Sequence, residues 1–153
     1  MGDAAHAIVP FYGQGMNAGF EDCTILDGMY DDYGGDWSRI IPEFSQQRKP
    51  DGDAILELAL RNFIEMRDLV GDPKFLLRKK IAAWLHEEYP EFIPVYSMVS
   101  FTNIPYHVAL EEDDRQNALF EKILALPDIE ANWNGPEVRQ VFEQWSAQKS
   151  AGK

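Results

Sequence analysis

The sequence predicts a mainly helical protein with little or no β-strand. Apolar residues recur at the three- and four-residue spacing of a helix face in several separate segments. Residues that favour helix starts and ends, such as Asp72-Pro73 and Gly34-Gly35, stand at the borders of these segments. Hydrophobic residues make up 45% of the 153 residues, which is enough apolar surface for a folded core.

The N-terminal half predicts three helices. The first is expected over residues 16–33, where apolar side chains share one face and a pair of glycines follows. A short helix is expected over residues 37–47, interrupted near Pro42, because proline lacks the N–H that a helix interior needs. After a turn at residues 50–52, Asp53 can cap a third helix that continues to about residue 69.

The C-terminal half predicts three more helices and one extended segment. Asp72 followed by Pro73 is a favourable helix start, and that helix is expected to continue to about Glu88. Residues 92–106 are rich in β-branched and aromatic side chains and contain two prolines, so we expect an extended loop that could hold one short strand. Helices are expected over 108–126 and 136–148, the latter with one apolar stripe of Val138, Val141, Phe142 and Trp145.

Composition excludes several classes of partner and location. Lys and Arg total 14 against 26 Asp and Glu, and this net charge of −12 repels nucleic acid and anionic membrane surfaces. The single cysteine, Cys23, excludes an internal disulfide and fits a reducing, cytoplasmic compartment. No run of about 18 apolar residues predicts a membrane span. The three histidines lack metal-ligand spacing, so we expect no metal site.

A glycine-rich loop near the N-terminus is a candidate anion site. Gly13, Gln14, Gly15 and Asn17 stand directly before the first predicted helix. The unpaired N–H groups and positive dipole end of a helix start attract negative charge. The alternative interpretation is a simple turn between an apolar stretch and a helix.

Three other side chains have both a structural and a ligand-binding interpretation. Asp3 could accept hydrogen bonds from the hydroxyls of a sugar, or be a solvated aspartate. Asn62 falls on one helical face with Ile55, Ala59 and Met66, so its amide must bond to neighbouring backbone or to a ligand. Tyr96 could point its hydroxyl into a pocket or be an ordinary core tyrosine.

Taken together, these segments resemble a known family. Residues 2–22, with Gly-Asp-Ala-Ala-His, a proline and then Gly-x-Gly-x-Asn, resemble the second FAD-binding signature of the class A flavin monooxygenases. The segment PFYGQGMNAGFEDC (residues 10–23) is similar to the corresponding segment of the kynurenine 3-monooxygenase family. Residues 61–67 and 92–99 also resemble that family, in the same order, and the resemblance covers about residues 1–106.

The resemblance implies a fold and a reaction. The chain would be the C-terminal part of an α/β, Rossmann-like FAD-binding flavin monooxygenase. Residues 1–50 would complete the FAD-binding domain, residues 51–106 would form a helical substrate-site segment, and residues 107–153 would add C-terminal helices. The implied reaction uses FAD, NADPH and O2 to hydroxylate L-kynurenine to 3-hydroxykynurenine, a step of tryptophan catabolism that leads to pyridine nucleotides. The flavin carries the chemistry, so no catalytic side chain is expected.

The same resemblance implies roles for eleven residues. The cofactor would be bound by Asp3, Pro10, Gly13, Gly15, Met16 and Asn17. The substrate L-kynurenine would be contacted by Phe11, Gln14, Asn62, Met66 and Tyr96.

The sequence departs from the family pattern in ways that limit these expectations. The GxGxxG turn for the ADP half of FAD is absent, so we expect a piece cut from a longer protein that alone binds FAD weakly or not at all and has no turnover. Tyr12 replaces a common Phe, and the polar end at residues 146–153 indicates a soluble, bacterial-like relative. Two alternatives stay open: a related FAD-dependent hydroxylase of another aromatic compound, and a non-enzymatic acidic helical interaction module.

Overall fold

The structure is a computed structural model that describes residues 1–151. Helices make up 74% of the chain and residues 1–151 contain no strand, which confirms the mainly helical prediction. A 3-10 turn (Gly2–Ala4) precedes the first helix, and a π-helical segment (Glu65–Leu69) follows the second. In chain order the helices are α1 (Gly15–Asp32), α2 (Trp37–Ile64), α3 (Pro73–Glu88), α4 (Val95–Phe101), α5 (Tyr106–Leu124) and α6 (Pro136–Ala151).

The chain divides into two compact units. The N-terminal unit comprises Met1–Arg67 and Val95–Leu110, and the C-terminal unit comprises Asp68–Pro94 and Glu111–Lys153. All eleven residues with predicted site roles belong to the N-terminal unit. The assignment of separate roles to residues 1–50, 51–106 and 107–153 is a functional division, and it stays a prediction.

Two helices follow their local sequence signals closely. The predicted first helix is confirmed as α1, and Gly34 and Gly35 follow its end with φ angles of 58° and 77°, in the left-handed region that glycine adopts readily. The predicted start at Asp72-Pro73 is also confirmed. The Asp72 side chain accepts hydrogen bonds from the backbone N–H groups of Lys74 at 2.7 Å and Phe75 at 3.0 Å.

The expectation of two separate helices over residues 37–69 is wrong. Helix α2 is continuous, and it contains Pro42 and Pro50 in its interior. A proline there costs about 3 kcal/mol in an isolated helix. Packing outweighs this cost, because α2 buries Ile40 and Ile55 together with five other apolar or charged side chains on the two sides of Pro50. Asp53 therefore lies inside the helix and pairs with Lys49 one turn earlier, instead of capping a new helix.

The expectation of an extended segment over residues 92–106 is also wrong. Residues 95–101 form helix α4, which buries Val95, Met98 and Val99 at helical spacing. Pro94 and Pro105 directly precede α4 and α5, where their missing N–H groups cost nothing. The prolines mark helix starts, and the β-branched side chains fill one buried helix face.

The C-terminal unit has its own apolar core. Residues from α3, α5 and α6 pack around Phe92, and this core consists of Ile81, Leu85, Phe92, Leu119, Phe120, Ile123, Val138 and Phe142. The predicted stripe on α6 is confirmed, since Val138 and Phe142 are buried and Val141 and Trp145 pack against them. Within residues 1–151, every helix is too short or too polar to cross a bilayer.

Candidate functional site

The loop that joins the 3-10 turn to α1 presents an open helix start. Gly13 has a φ of 68°, so a left-handed conformation lets the chain enter α1 at this point. Gln14 is the N-cap of α1 but makes no side-chain capping hydrogen bond. A β-carbon added at Gly13 or Gly15 would meet no atom within 4 Å, so the space outside this backbone is open. These features give free N–H groups and a positive dipole end beside open space.

Gln14 is the buried member of this loop. Its side chain is only 6% exposed. The Oε1 atom accepts a hydrogen bond from Asn17 Nδ2 at 2.9 Å and another from the Tyr106 hydroxyl at 3.2 Å. Gln14 and Asn17, which were predicted to contact substrate and cofactor respectively, are therefore in contact with each other. Tyr106 is a third member of this group that the sequence did not indicate.

Asn62 and Phe11 hold the loop against the C-terminal end of α2. The Asn62 Nδ2 atom donates to the Phe11 carbonyl oxygen at 3.0 Å. The Phe11 ring lies 4.6 Å from the ring of Phe63. This bond fits the interpretation in which the half-buried Asn62 amide binds neighbouring backbone. The second N–H and the amide oxygen of Asn62 are left for another partner.

Tyr96 lies in an exposed aromatic group and is not a core tyrosine. Its ring stacks on Tyr12 at a centroid distance of 5.5 Å and meets Phe101 edge-on at 6.3 Å. The side chain is 49% exposed. Met16 and Met66 are also exposed, at 69% and 57%. Of the predicted substrate residues, Phe11, Met66 and Tyr96 are therefore exposed, whereas Gln14 is buried, and these residues do not enclose a pocket.

A polar groove of about 430 Å³ opens beside Gln14. Its polar walls come from the first half of α1 and from the stretch between the end of α4 and the start of α5, through Gln14, Asn17, Glu21, Ser100, Thr102, Asn103 and Tyr106. The Ser100 hydroxyl is a buried atom that lacks a hydrogen-bond partner among the described residues. The groove thus offers hydrogen-bonding groups that the protein itself leaves unused.

A buried ionic cluster consists of His6, Asp22, Arg48, Asp51 and His107, and of these five side chains His107 is the exposed one, at 47%. Asp22 is 1% exposed, and its Oδ2 atom lies 2.7 Å from His6 Nε2, while its Oδ1 atom accepts from Arg48 Nε at 2.9 Å. Arg48 also reaches Asp51 Oδ2 at 3.3 Å. The Oδ1 atom of Asp51 accepts from the backbone N–H of His107 at 3.0 Å and lies 2.7 Å from its Nδ1.

The electrostatic state of this cluster follows from its contacts. Burial raises the pKa of the Asp22 carboxyl, but hydrogen bonds from Arg48, His6 and the Gly2 amide outweigh it and hold the pKa below the ordinary value. Asp22 is therefore ionised at neutral pH, and the His6 nitrogen that faces it must carry the proton. Burial lowers the pKa of Arg48, but the carboxylates of Asp22 and Glu21 raise it by more, so the net pKa is above the ordinary value and the guanidinium stays charged.

The cluster supports the turn that carries Asp3. Asp22 accepts a hydrogen bond from the backbone N–H of Gly2 at 3.2 Å, and the Gly2 carbonyl accepts from the backbone of Ala5 and His6. Asp22 thus fixes the turn at its first residue and at His6. The Asp3 carboxylate itself is exposed, and no hydrogen bond to it occurs within the described residues.

Sequence reasoning missed the ionic cluster and Tyr106. The pairs His6–Asp22, Arg48–Asp22 and His107–Asp51 are 16, 26 and 56 residues apart, so no local spacing announces them. One signal was present. Asp22 lies one helical turn after the buried Ala18, which places a carboxylate on the buried face of α1. An isolated charge at such a position requires a buried partner.

Comparison with known proteins gives close relatives over most of the chain. The kynurenine 3-monooxygenase of Flavobacterium psychrophilum is 53% identical over 145 residues, covering 94% of this chain and 32% of the relative. That of Cytophaga hutchinsonii is 56% identical over 141 residues, covering 91% and 31%. The pig enzyme, from Sus scrofa, is 52% identical over 111 residues, covering 72% and 24%. No family model matches the chain.

These similarities place the chain within the monooxygenase class of oxidoreductases. More narrowly, the chain belongs to the kynurenine 3-monooxygenase family, as the resemblance of residues 2–22 indicated. It corresponds to the C-terminal part of these relatives and spans about a third of their length.

Proposed function

We propose that this chain supplies the loop and helix face on which a kynurenine 3-monooxygenase holds its flavin and its substrate. The whole enzyme would use NADPH and O2 to hydroxylate L-kynurenine to 3-hydroxykynurenine. One observation carries the proposal: the open start of α1 lies in the same compact unit as Asn62 and Tyr96 and is bonded to Asn62 through Phe11. The single cysteine favours a cytoplasmic location, which belongs to the same proposal.

The residues at the loop fit an FAD cofactor. The exposed Asp3 carboxylate has free acceptor capacity for the hydroxyls of the cofactor's sugar-like chain. The backbone at Gly13, Gly15 and Met16 offers N–H groups beside open space, which suits the negatively charged or carbonyl-bearing parts of FAD. Pro10 and Asn17 would border the same surface. When bound, FAD supplies the redox and oxygen-activating chemistry, and the protein orients the reactants around it.

The substrate would lie on the exposed aromatic surface. The remaining N–H of Asn62 and the Tyr96 hydroxyl are donors suited to the carboxylate of an amino acid. The Phe11 ring and the Met66 side chain offer apolar surface to the aromatic ring of kynurenine. Gln14 lines the polar groove and would contact the substrate from there.

A chimera tests the proposal: the 153-residue chain replaces the matching third of the Flavobacterium psychrophilum relative. We expect a yellow protein that forms 3-hydroxykynurenine with NADPH and O2. Replacing Asn62 with Ala, or Tyr96 with Phe, removes a hydrogen bond to a charged group, worth about 1.5–3 kcal/mol, so the KM for kynurenine should rise about 10- to 100-fold.

Matched controls separate these effects from general damage. Tyr30→Phe changes a tyrosine of similar exposure, 47%, on α1, and Asn132→Ala changes an exposed asparagine of the C-terminal unit. Both should leave the KM unchanged. A chimera that oxidises another aromatic compound but not kynurenine would favour a related hydroxylase. A chimera that folds without flavin would favour a non-enzymatic interaction module.

A further inference from the structure

We propose that Tyr106 is a positioning residue that orients the Gln14 side chain, so that the Gln14 amide offers its N–H groups to the ligand. The proposal rests on the proposed function, in which Gln14 contacts a bound molecule. Nothing in residues 2–22 indicates this role, because Tyr106 follows Gln14 by 92 residues.

The contacts of Gln14 define one orientation of its amide. Two donors, the Tyr106 hydroxyl and Asn17 Nδ2, converge on Gln14 Oε1 at 3.2 Å and 2.9 Å. A carbonyl oxygen accepts two hydrogen bonds, so Oε1 is fully occupied. The Nε2 group has two N–H donors and no partner among the described residues, and Gln14 lines the polar groove. The groove therefore receives a donor from this residue.

Tyr106, and not Asn17, selects this orientation. Asn17 is exposed and can rotate its amide to match either orientation of Gln14. Tyr106 is 9% exposed, and Gln14 Oε1 is the acceptor that the structure gives its hydroxyl. If the Gln14 amide were reversed, the buried phenol proton would lose its acceptor, which costs free energy. Burial raises the pKa of Tyr106, so the hydroxyl remains a donor across the neutral range.

The buried ionic cluster fixes the position of Tyr106. Tyr106 is the first residue of α5, and the backbone N–H of the next residue, His107, donates to Asp51 Oδ1 at 3.0 Å. Asp51 is in turn held by Arg48. A side-chain acceptor at the start of a helix satisfies an N–H group that has no partner within the helix. The phenol hydroxyl thus extends toward Gln14 from a fixed helix start.

The orientation defines the chemistry of the ligand atom that Gln14 contacts. A donor N–H selects a hydrogen-bond acceptor, either a carbonyl or carboxylate oxygen of the substrate or a carbonyl oxygen or ring nitrogen of the flavin. Both sources share this chemistry. Separate measurements of substrate and FAD dissociation constants identify which of the two loses affinity when the donor is lost.

The test uses the chimera with Tyr106→Phe, which keeps the ring and removes the hydroxyl. We expect the dissociation constant of the contacted ligand, measured by flavin absorbance or fluorescence, to rise about 5- to 50-fold. If the substrate is that ligand, its KM should rise by a similar factor with less change in kcat. Tyr30→Phe is the control and should change neither constant.

Gln14→Glu provides an independent arm. Glutamate can still accept from Tyr106 and Asn17 but has no N–H to donate, so it should weaken binding at least as much as Tyr106→Phe. In the double variant the two effects should be less than additive, because both act on one hydrogen bond. This arm tests the donor role of the Gln14 amide, on which the inference depends, even if Tyr106→Phe lowers the yield of folded protein.

The outcomes are separable from those of the proposed function. Unmodified chimera that binds neither FAD nor kynurenine overturns the proposed function. Chimera that turns over kynurenine normally, with unchanged binding after Tyr106→Phe, overturns only the positioning role. Full affinity in Gln14→Glu would show that the ligand needs no N–H from Gln14, and this result also overturns the inference.

Discussion

Replacing Asp22 with alanine should destabilise the protein more than any surface substitution. Asp22 accepts hydrogen bonds from the Gly2 amide, from His6 and from Arg48 while being 1% exposed. Breaking a buried ion pair by removing one partner costs about 3–5 kcal/mol, because the other charge remains buried. Because Arg48 keeps its contacts with Glu21 and Asp51, we expect Asp22→Ala to lower the free energy of unfolding by about 3 kcal/mol.

The comparison with asparagine separates charge from shape. Asp22→Asn keeps the volume and one acceptor oxygen, so we expect a smaller loss of about 1–3 kcal/mol. Asp27→Ala, at an exposed position of the same helix, should change stability by less than about 0.5 kcal/mol. Urea unfolding followed by circular dichroism measures all three variants in the 153-residue chain and in the chimera.

Acid titration gives a second measure of the same interaction. The pKa of Asp22 is lower in the folded protein than its ordinary value, so its contribution is present above the unfolded-state pKa of about 3.9. It is lost as the pH falls through the lower folded-state value. The stability gap between the unmodified protein and Asp22→Asn should therefore shrink below about pH 4. A gap that widens in acid, or Asp22→Ala within 1 kcal/mol of the unmodified protein at pH 7, would falsify this account.

Three further predictions concern the loop, α2 and the isolated chain. Gly13→Ala forces alanine into a left-handed conformation at the open helix start, so it should weaken FAD binding by the chimera about 10-fold or more. Gly28→Ala within α1 is the control and should leave FAD binding unchanged. Pro50→Ala restores an N–H to the interior of α2 and should raise the free energy of unfolding in urea by up to ~3 kcal/mol. A lower free energy of unfolding would mean that α2 is broken at this position. The isolated 153-residue chain should bind FAD weakly in a fluorescence titration, because exposed residues such as Met16 and Tyr96 do not enclose a ligand; co-purifying flavin would contradict this.

The parts of the fold that depend on neighbouring residues could be predicted from the sequence. The start of α3 needs only Asp72 and Pro73, and the buried face of α6 needs only the spacing of its apolar residues. Both signals lie within one or two helical turns, so no distant part of the chain can change their meaning. The glycine-rich loop was found for the same reason, since its residues are consecutive.

The errors came where distant packing outweighed local preference. Pro50 predicts a turn when only its neighbours are considered, yet the buried face of α2 and the contacts of Arg48 keep the helix continuous. Pro94 and Pro105 predict extended chain in isolation, yet each stands at a helix start. Proline defines where an N–H is missing, and the tertiary structure decides whether that position is a helix start, an interior or a break.

The family resemblance of residues 2–22 contains two kinds of residue that the sequence alone does not separate. Asp3, Gly13 and Met16 are exposed and face open space, as residues that touch a ligand must be. Asp22, by contrast, is buried and bonded within the protein. It holds the turn that carries Asp3 and, through Arg48 and the helix start at Tyr106, the side chain of Gln14. Substitution of Asp22 should therefore lower stability and ligand affinity together, whereas substitution of Asp3 should lower affinity alone.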